Sequence, residues 1–225
     1  MRALLLPILL LLPTAWLHAQ NAPAVGFLRF VNTVTLEGRL DIALDGQSLR
    51  KAGFRAGDMT GGFGLAEGSH PFILKHPACE PMEKEMAVAP GTTTTYLVTW
   101  EETKGKGKKE NEIIRRLKFV ELQGRQNDRK SGIDLVSMCR QPLLKFRLAF
   151  NNRPIGDARY LKPGQCESSP IPGPGEIRVA AGDTLVSVFT LEEPGHWCIV
   201  VFDDPAAKGT VRAVYFPNES MEVGG

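Results

Sequence analysis

Charge of one sign is what this sequence most lacks. Lys and Arg number 27 against 25 Asp and Glu, a formal net charge of +2. That is too little to draw the whole molecule to a nucleic acid or an anionic membrane. Metal motifs are missing as well: the four cysteines and four histidines show no C-x-x-C or H-x-x-x-H spacing, the signatures of zinc sites. No G-x-S-x-G elbow offers a hydrolase nucleophile. The glycines of "GGFGLAEG" (61–68) lie between strand-like stretches and open no helix, so they do not cradle a phosphate. No uncharged stretch of about 20 apolar residues, the length a membrane helix needs, is present. Convincing helical periodicity is also scarce. What remains is a chain with ordinary hydrophobic content, 43%, and abundant turn formers, 23 Gly and 16 Pro, a composition that favours many short elements.

The opening residues read separately. "MRALLLPILLLLPTAWLHA" (1–19) has an Arg, a leucine-rich run broken by Pro7 and Pro13, and a small residue at Ala19. This pattern predicts a cleaved secretory signal peptide, and no Cys follows it to carry a lipid anchor. The expected location is the periplasm or the outside of the cell. In an oxidising compartment Cys79, Cys139, Cys166 and Cys198 read as two disulfides. Three pairings exist; Cys79–Cys139 with Cys166–Cys198 keeps each bond within one half, and each would add roughly 3–4 kcal/mol.

Alternation of apolar and polar residues dominates the rest. "RLDIALDG" alternates cleanly and ends in a turn-forming Asp-Gly. "HPFILKH", "EKEMAVAPG" and "TTTTYLVTW" follow as strands, the last β-branched and aromatic throughout. A charged hairpin loop, "EETKGKGKKENE" (101–112), leads to the strand "IIRRLKFVEL". The second half continues with "LKFRLAF", "EIRVAAGD", "TLVSVFTL", "HWCIVVFDD" and "TVRAVYF". In "HWCIVVFDD" both faces are apolar, which suits a central strand. The chain is therefore expected to be all-β, with two small antiparallel β-sandwiches: residues 25–123, a polar linker 124–142, and residues 143–217. The halves show no sequence repeat that marks a duplication.

Strand geometry separates the candidate site residues. His70 and His76, with Cys79 beyond, share a strand face but span about 20 Å, too far for one ion. The pairs Glu101-Glu102, Glu192-Glu193 and Asp203-Asp204 place neighbours on opposite faces of a strand, which does not make a two-carboxylate cleft. Ser168 or Ser169 with His196 and Asp203 is the one nucleophilic set the chain offers. Trp100 and Trp197 read as core unless exposed for stacking on sugar. The Lys-rich loop (Lys104, Lys106, Lys108, Lys109) and the loop 162–175 are the candidate binding segments. No cofactor or metal is expected.

In "LRFVNTV", "LDIALDGQ", "AEGSHPFILKH", "TTTTYLVTW" and "LKFVEL", residues 26–122 resemble a family of small secreted immunoglobulin-like domains of unknown function. The whole chain resembles, in plan, the AlgF-type periplasmic accessory proteins of alginate O-acetylation. That resemblance implies two immunoglobulin-like sandwiches and an adaptor role. The four cysteines and the charged loop depart from it. The expected function is thus an exported non-catalytic binding or adaptor module, with a protein or envelope polysaccharide as partner, and neither nucleic acid nor a membrane span. The alternatives are a secreted esterase-type hydrolase using Ser168 or Ser169, and a purely structural envelope protein.

Overall fold

The computed structural model describes residues 24–105, 112–125, 130–141, 144–219 and 221. Among these every regular element is a strand. The first half contains β1 (Val25–Asn32), β2 (Asp41–Leu44), β3 (Gln47–Ser48), β4 (Phe63–Ala66), β5 (Gly68–Lys75), β6 (Met82–Val88), β7 (Thr93–Lys104) and β8 (Ile113–Gln123). The second contains β9 (Gly132–Ser137), β10 (Leu144–Phe150), β11 (Arg153–Pro154), β12 (Arg159–Leu161), β13 (Cys166–Pro170), β14 (Gly175–Ala181), β15 (Thr184–Leu191), β16 (His196–Asp203) and β17 (Val211–Pro217).

Four sheets form, with strand orders β3-β2-β5-β6, β4-β1-β7-β8, β13-β9-β16-β17 and β11-β10-β14-β15, β12 pairing with β10. The second half repeats the first strand for strand. β9 takes the place of β1, β10 of β2, β13 of β4, β16 of β7 and β17 of β8, with β12 inserted. The duplication that the sequence does not display is present in the topology.

Three cores join the sheets in series. The first lies between β3-β2-β5-β6 and β4-β1-β7-β8 and is aromatic: Phe30 stacks on Phe63, Phe72 and Tyr96. The second lies between β13-β9-β16-β17 and β11-β10-β14-β15 and is largely aliphatic, with Ile133, Leu135, Leu148, Ile177, Val179 and Ile199. A third joins the two halves back to back: Val31 and Leu97 meet Val136, Val200, Phe202 and Phe216. The molecule is thus four layers, with the two inner sheets covered on both faces. The inner strands show it: β7 is buried from Thr93 to Trp100 and all six residues of β9 are buried. Such sheets admit parallel pairing, and each has one parallel pair, β1 with β7 and β9 with β16. These two ladders depart from the all-antiparallel expectation; the remaining strand pairs are antiparallel.

The turns follow from local chemistry. Asp45 and Gly46 have φ of 50° and 75°, and Asn151 and Asn152 have 46° and 64°. Two consecutive positive φ values make the turn whose twist suits a two-residue hairpin, and Asp, Asn and Gly tolerate it best. The motif "LDGQ" and the motif "FNNR" therefore close equivalent hairpins, β2–β3 and β10–β11.

Three expectations are corrected. The linker 124–142 contains β9, a central strand, because Ile133, Leu135 and Val136 supply apolar residues to both faces inside a stretch that reads as polar. The loop 162–175 contains β13, which pairs with β9 as an edge strand despite its flanking prolines. The predicted disulfides are absent, and all four thiols are free. Cys166 and Cys198 sit on strands either side of β9. Two interstrand spacings, about 9.5 Å, exceed the roughly 7 Å that a disulfide spans. Cys79 packs on the first core and Cys139 in the second. Burial pushes the Cys139 thiol up to about 12, so it is not a thiolate near neutral pH.

Candidate functional site

The set Ser168, Ser169 and His196 does gather around one cleft of about 240 Å³, together with Arg125, Lys130, Ser131 and Asp134. The cleft opens where β13, β9 and β16 run side by side. Pairing puts Ser168 opposite Asp134 and Ser169 opposite Ile133. Alternation then sends the two serines to opposite faces. Ser169 is buried and accepts a hydrogen bond from Arg159 Nη2. Ser168 shares the face of Asp134 and donates to its Oδ1.

Asp134 organises the cleft. It is 4% exposed. Arg125, just past β8, donates from Nε to Oδ2 at 2.9 Å and from Nη2 to Oδ1 at 2.7 Å. Asn218 Nδ2 adds a further bond, to Oδ2, at 2.8 Å. Burial pushes the carboxyl upward, but the bonds from Arg125, Ser168 and Asn218 outweigh it and hold it below the usual carboxylate range. Arg125 also reaches Ser168 Oγ at 2.5 Å, so the hydroxyl accepts from a cation and gives its proton to an anion.

His196 lies over Gly132, its partner on β9. A Cβ at Gly132 would come within 2.8 Å of His196 Nδ1, so only glycine lets the ring settle there. The His196 backbone N–H donates to Glu219 Oε1 at 3.0 Å. Residues 217–219 and 221 lie across this end of the molecule. Pro217 O accepts from Arg29 Nη1 at 2.7 Å, Asn218 O from the Arg125 amide at 2.8 Å, and Thr93 Oγ1 from the Met221 amide at 2.7 Å. The tail thereby fastens the second sandwich to the first beside the cleft.

Asp203 does not join Ser168 and His196. It sits at the far end of β16, seven residues from His196 and roughly 23 Å along the strand, where its Oδ2 accepts the Arg140 amide at 2.9 Å. Asp204 caps a turn, accepting from the Ala206 amide at 2.9 Å. Asp134 takes the place expected for an acidic partner. Its one signal in the sequence is a charge set inside the apolar string "GIDLVS".

The remaining candidates resolve individually. His70 and His76 stay apart: His70 Nδ1 meets Asp45 Oδ2 at 2.8 Å, while His76 is buried. Among the described residues no group of three or more His, Cys, Asp or Glu converges on a metal position. Glu101 pairs with Lys118 at 2.9 Å, and Glu102 lies 3.4 Å from Arg115 and 3.6 Å from Arg140. Trp100 is buried in the first core, with the Arg140 guanidinium 4.0 Å above its ring, and Trp197 is half-buried against the second. The Trp100 indole, buried and covered by Arg140, offers no open stacking face. Lys104 ends β7, exposed; Lys106, Lys108 and Lys109 lie outside the described residues. No helix among the described residues is long and apolar enough to cross a membrane.

No protein-family model matches the chain, and no curated protein matches it.

Proposed function

We propose that the chain is an exported, non-catalytic binding module of the cell envelope, docking a protein partner or an envelope polysaccharide. Its use in exopolysaccharide O-acetylation is the specific case implied by the AlgF-type resemblance. The observation that carries the reading is the bonding of Ser168. Its proton points to Asp134, a carboxylate already tied to Arg125 and Asn218. A nucleophilic serine needs a nearby group that takes its proton as attack begins. Asp134, held below the usual carboxylate range, is a weak base for that task. The cleft instead presents cationic and hydroxyl side chains, Arg125, Lys130, Ser131 and Ser168, suited to an anionic or hydroxylated ligand.

The esterase reading keeps one observation in its favour, the presence of His196 and Ser168 on the same cleft. Fluorophosphonate labelling separates the two. The binding reading expects no label on the mature protein. It also expects measurable binding of acidic oligosaccharides, or of a captured envelope protein, that falls in Arg125→Ala and in a deletion of 104–109. Labelling that disappears in Ser168→Ala would make the protein an esterase.

A further inference from the structure

The four-layer stack ends in two outward faces, and they carry opposite charge. On sheet β3-β2-β5-β6 the core takes Ile42, Leu44, Phe72, Leu74 and Met86. Alternation turns the residues between them outward. The charged ones are Asp41, Glu83 and Glu85, with Lys75 as the single cation. Pairing clusters them, since Asp41 stands opposite Lys75, Ile73 opposite Glu83 and Pro71 opposite Glu85.

On sheet β11-β10-β14-β15 the core takes Phe146, Leu148, Ile177, Val179 and Phe189. Lys145, Arg147 and Arg178 face outward with one strand carboxylate, Glu176. Asp183, in the β14–β15 turn, bonds Arg147, and Glu176 bonds Arg178 at 2.7 Å. Cations still outnumber carboxylates. Large apolar side chains stand among them: Tyr160 at 52% exposure, Leu185 at 54% and Val188 at 41%. Register places Tyr160 beside Lys145, Leu185 beside Ala180 and Val188 beside Arg178.

We infer that the acidic outer sheet of one molecule docks on the basic outer sheet of a second copy, so that the chain self-associates head to tail. Charge complementarity chooses the occupant: Asp41, Glu83 and Glu85 answer Lys145, Arg147 and Arg178. Exposed Tyr160, Leu185 and Val188 meet the apolar strip of Ile73 and Pro71. The two faces belong to different sheets at opposite ends of the layer order, so the contact is heterologous. It does not close into a symmetric dimer and instead propagates. Four strands about 4.8 Å apart and some six residues long give roughly 400 Å² per face, about half that of a standard interface. The association is therefore weak, and exposed charges make it salt-sensitive. It draws on neither the cleft nor the binding reading above.

Sedimentation of the mature full chain over a concentration series tests this. The expected result is an average mass that rises with concentration at low salt and returns to the monomer value at about 0.5 M salt, several times the ionic strength at which screening already acts within about 10 Å. Glu83→Lys with Glu85→Lys, and separately Arg147→Glu with Arg178→Glu, each weaken association at least tenfold. All four positions are surface sites, and unchanged thermal melts show that the variants fold. An equimolar mixture of the two variants associates again, because each now carries the face the other lacks. A wild-type chain that stays monomeric at low salt overturns the inference. Retention of that monomer on poly-glutamate would reassign the basic face to an acidic polymer. Self-association that survives either double variant, or a mixture that fails to re-form complexes, overturns it equally.

Discussion

Sandwich one packs rings where sandwich two packs branched aliphatics, yet their strands pair in the same order. Phe30 stacks on Phe72 with centroids 5.0 Å apart, and Tyr96 meets Phe119 edge-on at 4.9 Å. The corresponding space in sandwich two holds Leu135, Ile177 and Ile199, with Phe189 and Tyr215 at one side. The seam shows a sharper contrast. Matching Val31 with Val136 in the shared topology makes Arg29 the counterpart of Asp134, and Thr95 that of Cys198. One half therefore buries a cation at the position where the other buries an anion. Arg29 lies 4.8 Å from the Phe216 ring centre and donates to Pro217 O; Asp134 is tied by Arg125 and Asn218. Alternation and turn chemistry specify this topology, and the identity of the core and of the buried polar residue is free to diverge.

The comparison breaks first at the seam. Phe202 is fully buried in the third core. Its truncation to Ala should cost about 3–5 kcal/mol and split one calorimetric transition into two, because the halves lose their shared packing. Phe146→Ala, in the second core alone, should cost a similar amount without uncoupling sandwich one. A single unsplit transition in Phe202→Ala would show that the tail contacts, and not the third core, join the halves.

Asp134→Ala comes next, at about 1–3 kcal/mol in urea unfolding, since it takes the acceptor from the buried Asn218 amide and removes the Arg125 ion pair. The pH dependence sharpens this. A carboxyl held low in the folded state stabilises above its unfolded pKa and loses that stabilisation as pH falls through the lower folded value. Asp134→Asn should therefore flatten the stability profile below about pH 4, the ordinary carboxylate range, when acid unfolding is followed by circular dichroism.

Much of this architecture was readable beforehand, and the misses have physical causes. The period-two stretches located β2, β7, β8, β10, β15, β16 and β17, and the doubly apolar face of "HWCIVVF" marked β16 as central. β9 and β13 were lost because one is six residues long within a polar stretch and the other is bounded by Gly164 and Pro170. The repeat was hidden because equivalent core positions exchange aromatic for aliphatic side chains. An even cysteine count suggests disulfides, while the spacing across β9 is set by strand pairing, which a count does not reveal. In the cleft, Ser168 and His196 stand out in the sequence and Asp134 does not, because a lone Asp among apolar residues carries no motif.

Smaller effects compare the two hairpin turns. Gly46→Ala places a side chain at φ 75° and should cost about 1 kcal/mol in a thermal melt. Asn152→Gly, at φ 64°, should change stability by only a few tenths of a kcal/mol. The first hairpin also has a histidine beside its turn. Both ring nitrogens of His70 face acceptors, the Ala66 carbonyl at 2.9 Å and the Asp45 carboxylate at 2.8 Å. These raise its pKa, the carbonyl contributing most. Its stabilisation is fully present below the ordinary histidine value of about 6.5 and fades as pH rises through the higher folded value. An NMR titration should place His70 above that value in the native chain and lower it in Asp45→Asn.

Residual dipolar couplings on the backbone amides of the mature chain test most directly whether the third core makes one rigid body of two like sandwiches. A single alignment tensor fitting the couplings of β1–β8 and β9–β17 together is the predicted result. Two tensors that differ in magnitude or orientation would contradict it.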